Sequence, residues 1–212
     1  MPSIYKRSEP TKRKRKNRSR EEVHREALAA ARELLLEGGP GAITVAKVAG
    51  KVGMSHANLL HHFGSAAALH SALMGSMVAD LTDAFGDVVK LLKDKPAGPR
   101  EVVDKVFDAF DKGGAGPLAS WIILSDEVEH LEPVRVAVIE LVDAIVTQAQ
   151  DDQANSRVRL AVLMMAISAY GDSMIGPHIR EMLGQDDQAT RELMSRILPL
   201  FLIPSGIPGS QK

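Results

Sequence analysis

The chain reads as all-α, three short helices followed by a larger helical body, and three observations predict this. Apolar residues recur at spacings of three and four between Gly- and Pro-bearing breaks. No stretch alternates apolar and polar residues between hairpin turns. Hydrophobic residues make up 45% of the 212 positions but aromatics only 4%, so Leu, Ile, Val, Ala and Met must do most of the packing, which suits helices better than a β-sandwich. There is no Cys, which removes disulfides, thiolate zinc sites and cysteine nucleophiles together and is compatible with a reducing compartment. No apolar run approaches the roughly 18 to 20 residues that span a bilayer, and the basic N-terminus has no hydrophobic stretch behind it. A soluble, unexported, cytoplasmic protein is expected.

The formal net charge of -1 conceals an asymmetry. Residues 1–20 carry nine Lys/Arg against the single acid Glu9, a net +8, while the rest of the chain holds 17 basic and 26 acidic residues, a net -9. Residues 1–19, with Pro2, Pro10 and dense like charge, are expected to be a disordered basic arm suited to a polyanion. Read on composition alone, the run could equally be a solvated tail, a generic polyanion binder or an import-like signal.

Ordered structure is expected from Ser19, which with Glu22 makes a capping box. Val23, Ala27, Ala30, Ala31, Leu34 and Leu35 then form one helical stripe that stops at Gly38-Gly39-Pro40-Gly41. Thr44 can cap a short second helix through Val52, striped by Val45, Val48, Ala49 and Val52 and broken by Gly53. Ser55 caps a third helix to about His62, and Ser65 a fourth to about Leu92, after which 93–99 (KDKPAGP) is a linker. Further helices are expected at 100–111, 117–130, 133–150, 155–183 and 187–203, before a Gly/Pro-rich tail. There is no internal repeat.

Two short helices joined by a tight glycine turn make a helix–turn–helix, in which the second helix enters the DNA major groove. In "MSHANLLHHF" (54–63), Leu59 and Phe63 are four apart on a packing face, leaving His56, Ala57 and His61 on other sides. A metal site is the competing reading of these histidines. His56, His61, His62 and His70 are adjacent or five, six, eight, nine and fourteen apart, never the three or four that would place helical ligands together. No phosphate-binding Gly-rich loop, nucleophile elbow or HExxH pattern is present, so no enzymatic activity, cofactor or metal is expected. Asp126, Glu127, Glu129 and His130 cluster near a helix end, where charges usually make a solvated face.

At residues 20–75 the pattern resembles the DNA-binding domain of the tetracycline-repressor (TetR) family. The resemblance rests on "ITVAKVAGKVGMS", the short recognition helix, "HHF" and "SAAAL", that is, on the combined spacing of Thr44, Val48-Ala49, Gly53, Ser55, Leu59, His62-Phe63 and Leu69. It implies a DNA-binding domain over 20–66, an effector-binding and dimerisation domain over 67–204, and a flexible tail over 205–212. Carried over by position, His56, Ala57, Asn58 and His61 are the expected base contacts, and Thr44, Lys47, Ser55 and His62 the expected backbone contacts. Asn can pair bidentately with adenine, and an Ala methyl can pack on a thymine methyl. Two positions depart from the family: Leu60 replaces a usual tyrosine and Ala66 a usual lysine, both phosphate ligands. The arm, through Lys12, Arg13, Lys14, Arg15, Lys16 and Arg18, is expected to compensate along the backbone or in a minor groove.

The same resemblance implies a homodimer on double-stranded operator DNA, its recognition helices about one helical turn, roughly 34 to 36 Å, apart. The last two long helices are expected to pair between subunits through Leu163, Ile167, Tyr170, Leu193, Ile197, Leu200 and Phe201. The segment 160–169 is apolar almost all round, as a helix buried on several sides must be. An effector pocket is expected among Met77, Phe85, Phe107, Phe110, Trp121, Leu124 and Met165, taking a small lipophilic or aromatic molecule that releases the protein, as a repressor, from DNA. Methionines such as Met74, Met77, Met164, Met165 and Met174 suit core filling as well as an adaptable pocket. The alternatives are a constitutive or architectural DNA-binding dimer with no effector and, further off, an all-α enzyme or metal protein.

Overall fold

The computed structural model describes residues 18–84, 98–126, 130–149 and 154–202. Within them lie ten α-helices and no strand. Helices α1 (Arg20–Gly38), α2 (Val45–Lys51) and α3 (His56–Phe63) form the N-terminal unit, with a 3-10 turn at Pro40–Ala42. Helix α4 (Ala66–Ala84) leads into the body, made of α5 (Gly98–Phe110), α6 (Ala115–Leu124), α7 (Glu132–Ala149), α8 (Ala154–Met174), α9 (Gly176–Leu183) and α10 (Ala189–Leu202).

Side-chain caps start the first four helices. The Ser19 hydroxyl accepts from the Glu22 amide at 3.1 Å while the Glu22 carboxylate accepts from the Ser19 amide at 2.8 Å, a complete capping box. Thr44, Ser55 and Ser65 likewise accept from the amides of Lys47, Asn58 and Ala68. Between α2 and α3 the chain reverses through Gly53 at φ 66°, a left-handed conformation that costs a residue with a Cβ.

Two cores stack along the molecule. The first gathers Ala27, Ala31, Leu34, Val48 and Leu59 from α1–α3 with Leu69, Leu73, Met74 and Met77 of α4 and Ala115, Leu118 and Ile122 of α6. It therefore runs past the expected boundary at residue 66, because α1–α3 alone present an apolar face that only α4 and α6 cover. The second core joins Val103 and Phe107 of α5, Leu141 and Val142 of α7, Val158 and Met165 of α8, and Met194 and Leu198 of α10. Helices α4 and α7 approach closely at Gly75, where a Cβ would lie 2.9 Å from the Pro133 carbonyl oxygen. Any side chain there would force the helices apart.

Two expected helices differ among the described residues. The one at 117–130 is Ala115–Leu124, ending where Asp126 turns into positive φ (57°), a region Asp tolerates better than most residues. The one at 155–183 is two helices, α8 and α9, bent by 78°. Pro177, in the first turn of α9, has no amide to donate and its ring would strike the carbonyl four residues back, so a continuous helix cannot pass. Asp172 of α8 and Arg180 of α9 form a largely buried ion pair across this bend. The fourth helix is described as far as Ala84, so its expected end near Leu92 and the linker lie outside the described residues, as do the tail at 205–212 and most of the arm. Among the described residues no single helix is long and apolar enough to cross a membrane.

Because α6 closes the N-terminal core, Leu118→Ala, at a fully buried position, is expected to destabilise the protein by about 2–5 kcal/mol. Urea unfolding checks this, and the loss is expected in the helix–turn–helix as well as in the body.

Candidate nucleic-acid interface and internal cavity

Helix α3 lies on α2 through Leu59, which is fully buried, and Phe63, while the Met54 amide donates to the Ala49 carbonyl at 2.8 Å to close the turn. The other side faces outward: His56, Ala57, Asn58 and His61 are all exposed on one short helix, and Thr44, Lys47 and Ser55 are exposed beside them. Thr44 and Ser55 accept from their own helices through the hydroxyl oxygen, which leaves each O–H able to donate to a phosphate. Lys51, one turn along from Lys47, is instead held by Glu33 and Glu37 of α1, and its hydrogen bond to Glu33 raises its pKa. Its charge is used inside the protein.

His62 is half-buried against α1. The His24 ring stacks on Phe63 at 4.2 Å between centroids and meets His62 edge-on at 6.4 Å, with His24 Nε2 3.4 Å from the His62 carbonyl oxygen. Burial lowers the His62 pKa, and the charges of His24, His61 and Arg20 lower it further. His24 is a part of this surface that sequence reasoning missed, since its place in α1 gives no sign that it meets the end of α3. Among the described residues, no group of three or more His, Asp or Glu could hold a metal ion.

Of the arm, Lys12, Arg13, Lys14, Arg15 and Lys16 lie outside the described residues, and Arg18 is docked. Its guanidinium pairs with Glu26 and donates to the Val52 carbonyl at 3.0 Å, the carbonyl that ends α2. Arg18 therefore ties the root of the arm to the helix–turn–helix, with its charge already matched by Glu26.

The second feature is a partly open apolar cavity of about 330 Å³ between α4, α5, α6, α7, α8 and α10. Phe110 and Met165 line it, and Met77, Phe107, Trp121 and Leu124 do not. Met77 is buried in the first core with α1–α3, Phe107 packs in the second core beneath Arg191 (5.4 Å from guanidinium to ring centre), and Leu124 is 85% exposed at the end of α6. Trp121 sits on the flank of α6, against Gly41 and edge-on to His70. Phe85 lies outside the described residues. The wall consists instead of aliphatic rows at helical spacing: Met74, Val78 and Leu81 on α4, Val102 and Val106 on α5, Val134, Val138, Leu141 and Ile145 on α7. Those spacings were the available signal, whereas ring size was a poor guide because the large rings fill the cores around the cavity.

Helix α4 joins the two features. Its His70 side chain, buried, lies with Nε2 3.0 Å from the Ile43 carbonyl oxygen just before α2, and one turn further on Met74 faces the cavity.

Outside the cavity, α8 and α10 expose apolar stripes. Leu160, Leu163, Met164 and Ile167 on α8 and Leu193 and Leu200 on α10 are all more than a third exposed, and Ile197 and Phe201 are half-buried beside them. Tyr170 departs from this set: its hydroxyl is 2.9 Å from the Ser120 hydroxyl within the same subunit, so its polar end points into the protein.

An α-helical body carrying a capped helix–turn–helix with an outward polar recognition face defines a DNA-binding regulator. Residues 27–73 match the family described as bacterial regulatory proteins, tetR family. The chain is 26% identical over 183 residues to the HTH-type transcriptional repressor Rv3405c of Mycobacterium tuberculosis and to the HTH-type transcriptional regulator Mb3439c of Mycobacterium bovis. Each alignment covers 86% of this chain and 89% of the relative. Its fold is similar to the crystal structure of a Mesorhizobium loti protein assigned to the TetR-family transcriptional regulators, with a TM-score of 0.60 at 15% identity, covering 90% of this chain and all of that one. Residues 27–73 thus carry a DNA-binding domain of the tetR type, within a chain similar over most of its length to HTH-type transcriptional regulators.

The lowered His62 pKa sets a pH dependence. Its folded value lies below the unfolded 6.5, so the unfolded chain binds more protons in that window and stability is lost as pH falls from about 6.5 toward the folded value. His62→Gln is expected to flatten this part of the profile, measured as the urea midpoint between pH 7.5 and 5.5.

Proposed function

We propose that the protein is a homodimeric repressor that leaves its operator when a small lipophilic molecule enters the cavity. The observation that carries this reading is α4, one helix holding the segment before α2 through His70 and lining the cavity through Met74, Val78 and Leu81. A ligand that preferred one position of α4 would change the separation of the two recognition helices. DNA and ligand would then oppose each other by the same coupling free energy, typically about 1–3 kcal/mol. The name of the Mycobacterium tuberculosis relative, a repressor, supports the sign of regulation.

His56, Ala57, Asn58 and His61 would read bases, with Asn58 on an adenine, while Thr44, Lys47, Ser55 and His62 set register on phosphates. The arm supplies the grip that Leu60 and Ala66 do not. Asn58→Ala is expected to cost about 1–3 kcal/mol on the preferred operator and to relax specificity at one base pair. Deleting residues 1–17 is expected to weaken binding to every sequence and to flatten the dependence of affinity on salt. Mobility-shift titrations on selected DNA fragments, repeated at several salt concentrations, separate the two effects. An unchanged salt slope after deletion removes the arm from the interface.

The exposed stripes of α8 and α10 are the proposed dimer face, since a monomer leaving them in water would present an unusually large apolar patch. Ile167→Glu, at a 60% exposed position, is expected to give a folded monomer by sedimentation and to abolish tight operator binding. A dimer persisting in that variant places the interface elsewhere.

A further inference from the structure

Cations from two helices gather at the end of α3, where Leu60, packed half-buried on the first core, has no donor to offer a phosphate. The His24 ring of α1 stacks on Phe63, and both His24 and His61 lie close to the His62 ring, at 6.4 and 6.2 Å between centroids. Arg20, a turn before His24, lines the same surface groove between α1 and α4, together with Arg25 and Arg32. The acids along that groove are Glu21 and Asp80, and Asp80 is paired with Arg32. Glu22 and Glu26, also on α1, are taken up by the Ser19 cap and by Arg18. The charges that reach His62, those of His24, His61 and Arg20, are all positive, and together with its burial they disfavour the protonated ring. An anion placed among them reverses that preference. A DNA phosphate is the anion this surface would meet, because His62 directly follows the outward face of His56, Ala57, Asn58 and His61.

We infer that Arg20 of α1 and His62 of α3 form one phosphate-binding site, with His24 as its positioning residue, and that His62 takes up a proton from water when a DNA backbone phosphate is seated there. This rests on the reading of His62 as a backbone contact, and adds to it a second ligand and a proton. His24, stacked on Phe63 with its Nε2 3.4 Å from the His62 carbonyl oxygen, holds the end of α3 against the helix that carries Arg20. A neutral imidazole is a weak partner for a phosphate, whereas the imidazolium and the guanidinium both donate charge-assisted hydrogen bonds. The bound imidazole then holds its proton to a higher pH than the free one, so affinity for DNA rises as the pH falls between the two.

The test uses the full chain and a DNA duplex that it selects from a random-sequence pool. Binding is titrated by fluorescence anisotropy at fixed ionic strength, at pH 7.5 and 6.0, with circular dichroism confirming the native fold at both. An opposite charge this close moves an imidazole upward by about 1–3 pH units, so wild type is expected to bind about tenfold more tightly at pH 6.0. His62→Gln is expected to remove most of that difference. His24→Gln is expected to shrink it with the fold intact, which lost packing alone would not do. Arg20→Gln, at an exposed position, is expected to weaken binding at both pH values and to lower the salt slope by about one for each protomer. Calorimetry of wild type in two buffers of different ionisation enthalpy is expected to show net proton uptake, and it reports even if His62→Gln fails to fold. Equal affinity at the two pH values, a difference kept in full by His62→Gln, or a salt slope unchanged in Arg20→Gln overturns the inference and leaves the DNA-binding reading standing. Failure of wild type to select or bind any duplex overturns both.

Discussion

Helix α4 has to satisfy two cores at once, and most of the architecture depends on how it does so. Its first turns bury Leu69 and Leu73 against α1–α3, and its later turns carry Met74, Val78 and Leu81 to the cavity. Gly75 sits between these two duties, and the missing side chain lets α7 come close enough for Pro133 to lie against the α4 backbone. A helix with apolar residues on so much of its circumference has no broad polar face to turn outward, and it is stable only when surrounded. Neither the helix–turn–helix nor the body can therefore shift without moving a surface that the other packs on.

The outward face of the N-terminal unit follows a different logic, in which polar groups are divided between holding the fold and remaining available. Ser19 and Glu22 satisfy each other, and Lys51 is held by two glutamates of α1. Arg18 is spent on Glu26 and the end of α2. His56, Ala57, Asn58 and His61 of α3 face out, and beside them the capping bonds of Thr44 and Ser55 engage only hydroxyl lone pairs. That division turns a short helix into a surface able to bond to DNA. The His24–Phe63–His62 stack then fixes the end of α3 against α1, so the recognition helix is braced from two sides.

In the body, charges are paired away from the cavity. Arg191 bridges α10 to Asp104 and Asp108 on α5, and Arg180 pairs with Asp172 across the bend between α8 and α9. These pairs locate helix ends while the middle of the bundle stays apolar. A cavity with such walls is best filled by a molecule as apolar as they are.

Much of this was legible in the sequence because it depends on short-range rules. The capping residues, the Gly53 turn and the Leu59–Phe63 face act within four or five residues of chain, so their spacing alone predicted α1, α2, α3 and the start of α4. The apolar character of the helices carrying Leu163, Ile167, Leu193 and Leu200 was legible in the same way, but periodicity did not give their outer position: 160–169 read as buried on several sides, and within one subunit these side chains are exposed. Tertiary structure decided what depends on neighbours distant in sequence. It carried the first core across residue 66 into α4 and α6, whereas the break at Pro177 is local and was written in the sequence. It sent Phe107 and Met77 into packed cores and Trp121 to the flank of α6, while Val and Leu rows from several helices lined the cavity. The periodicity of one helix says that a side chain is turned inward, but whether it meets another side chain or a void depends on how several helices converge.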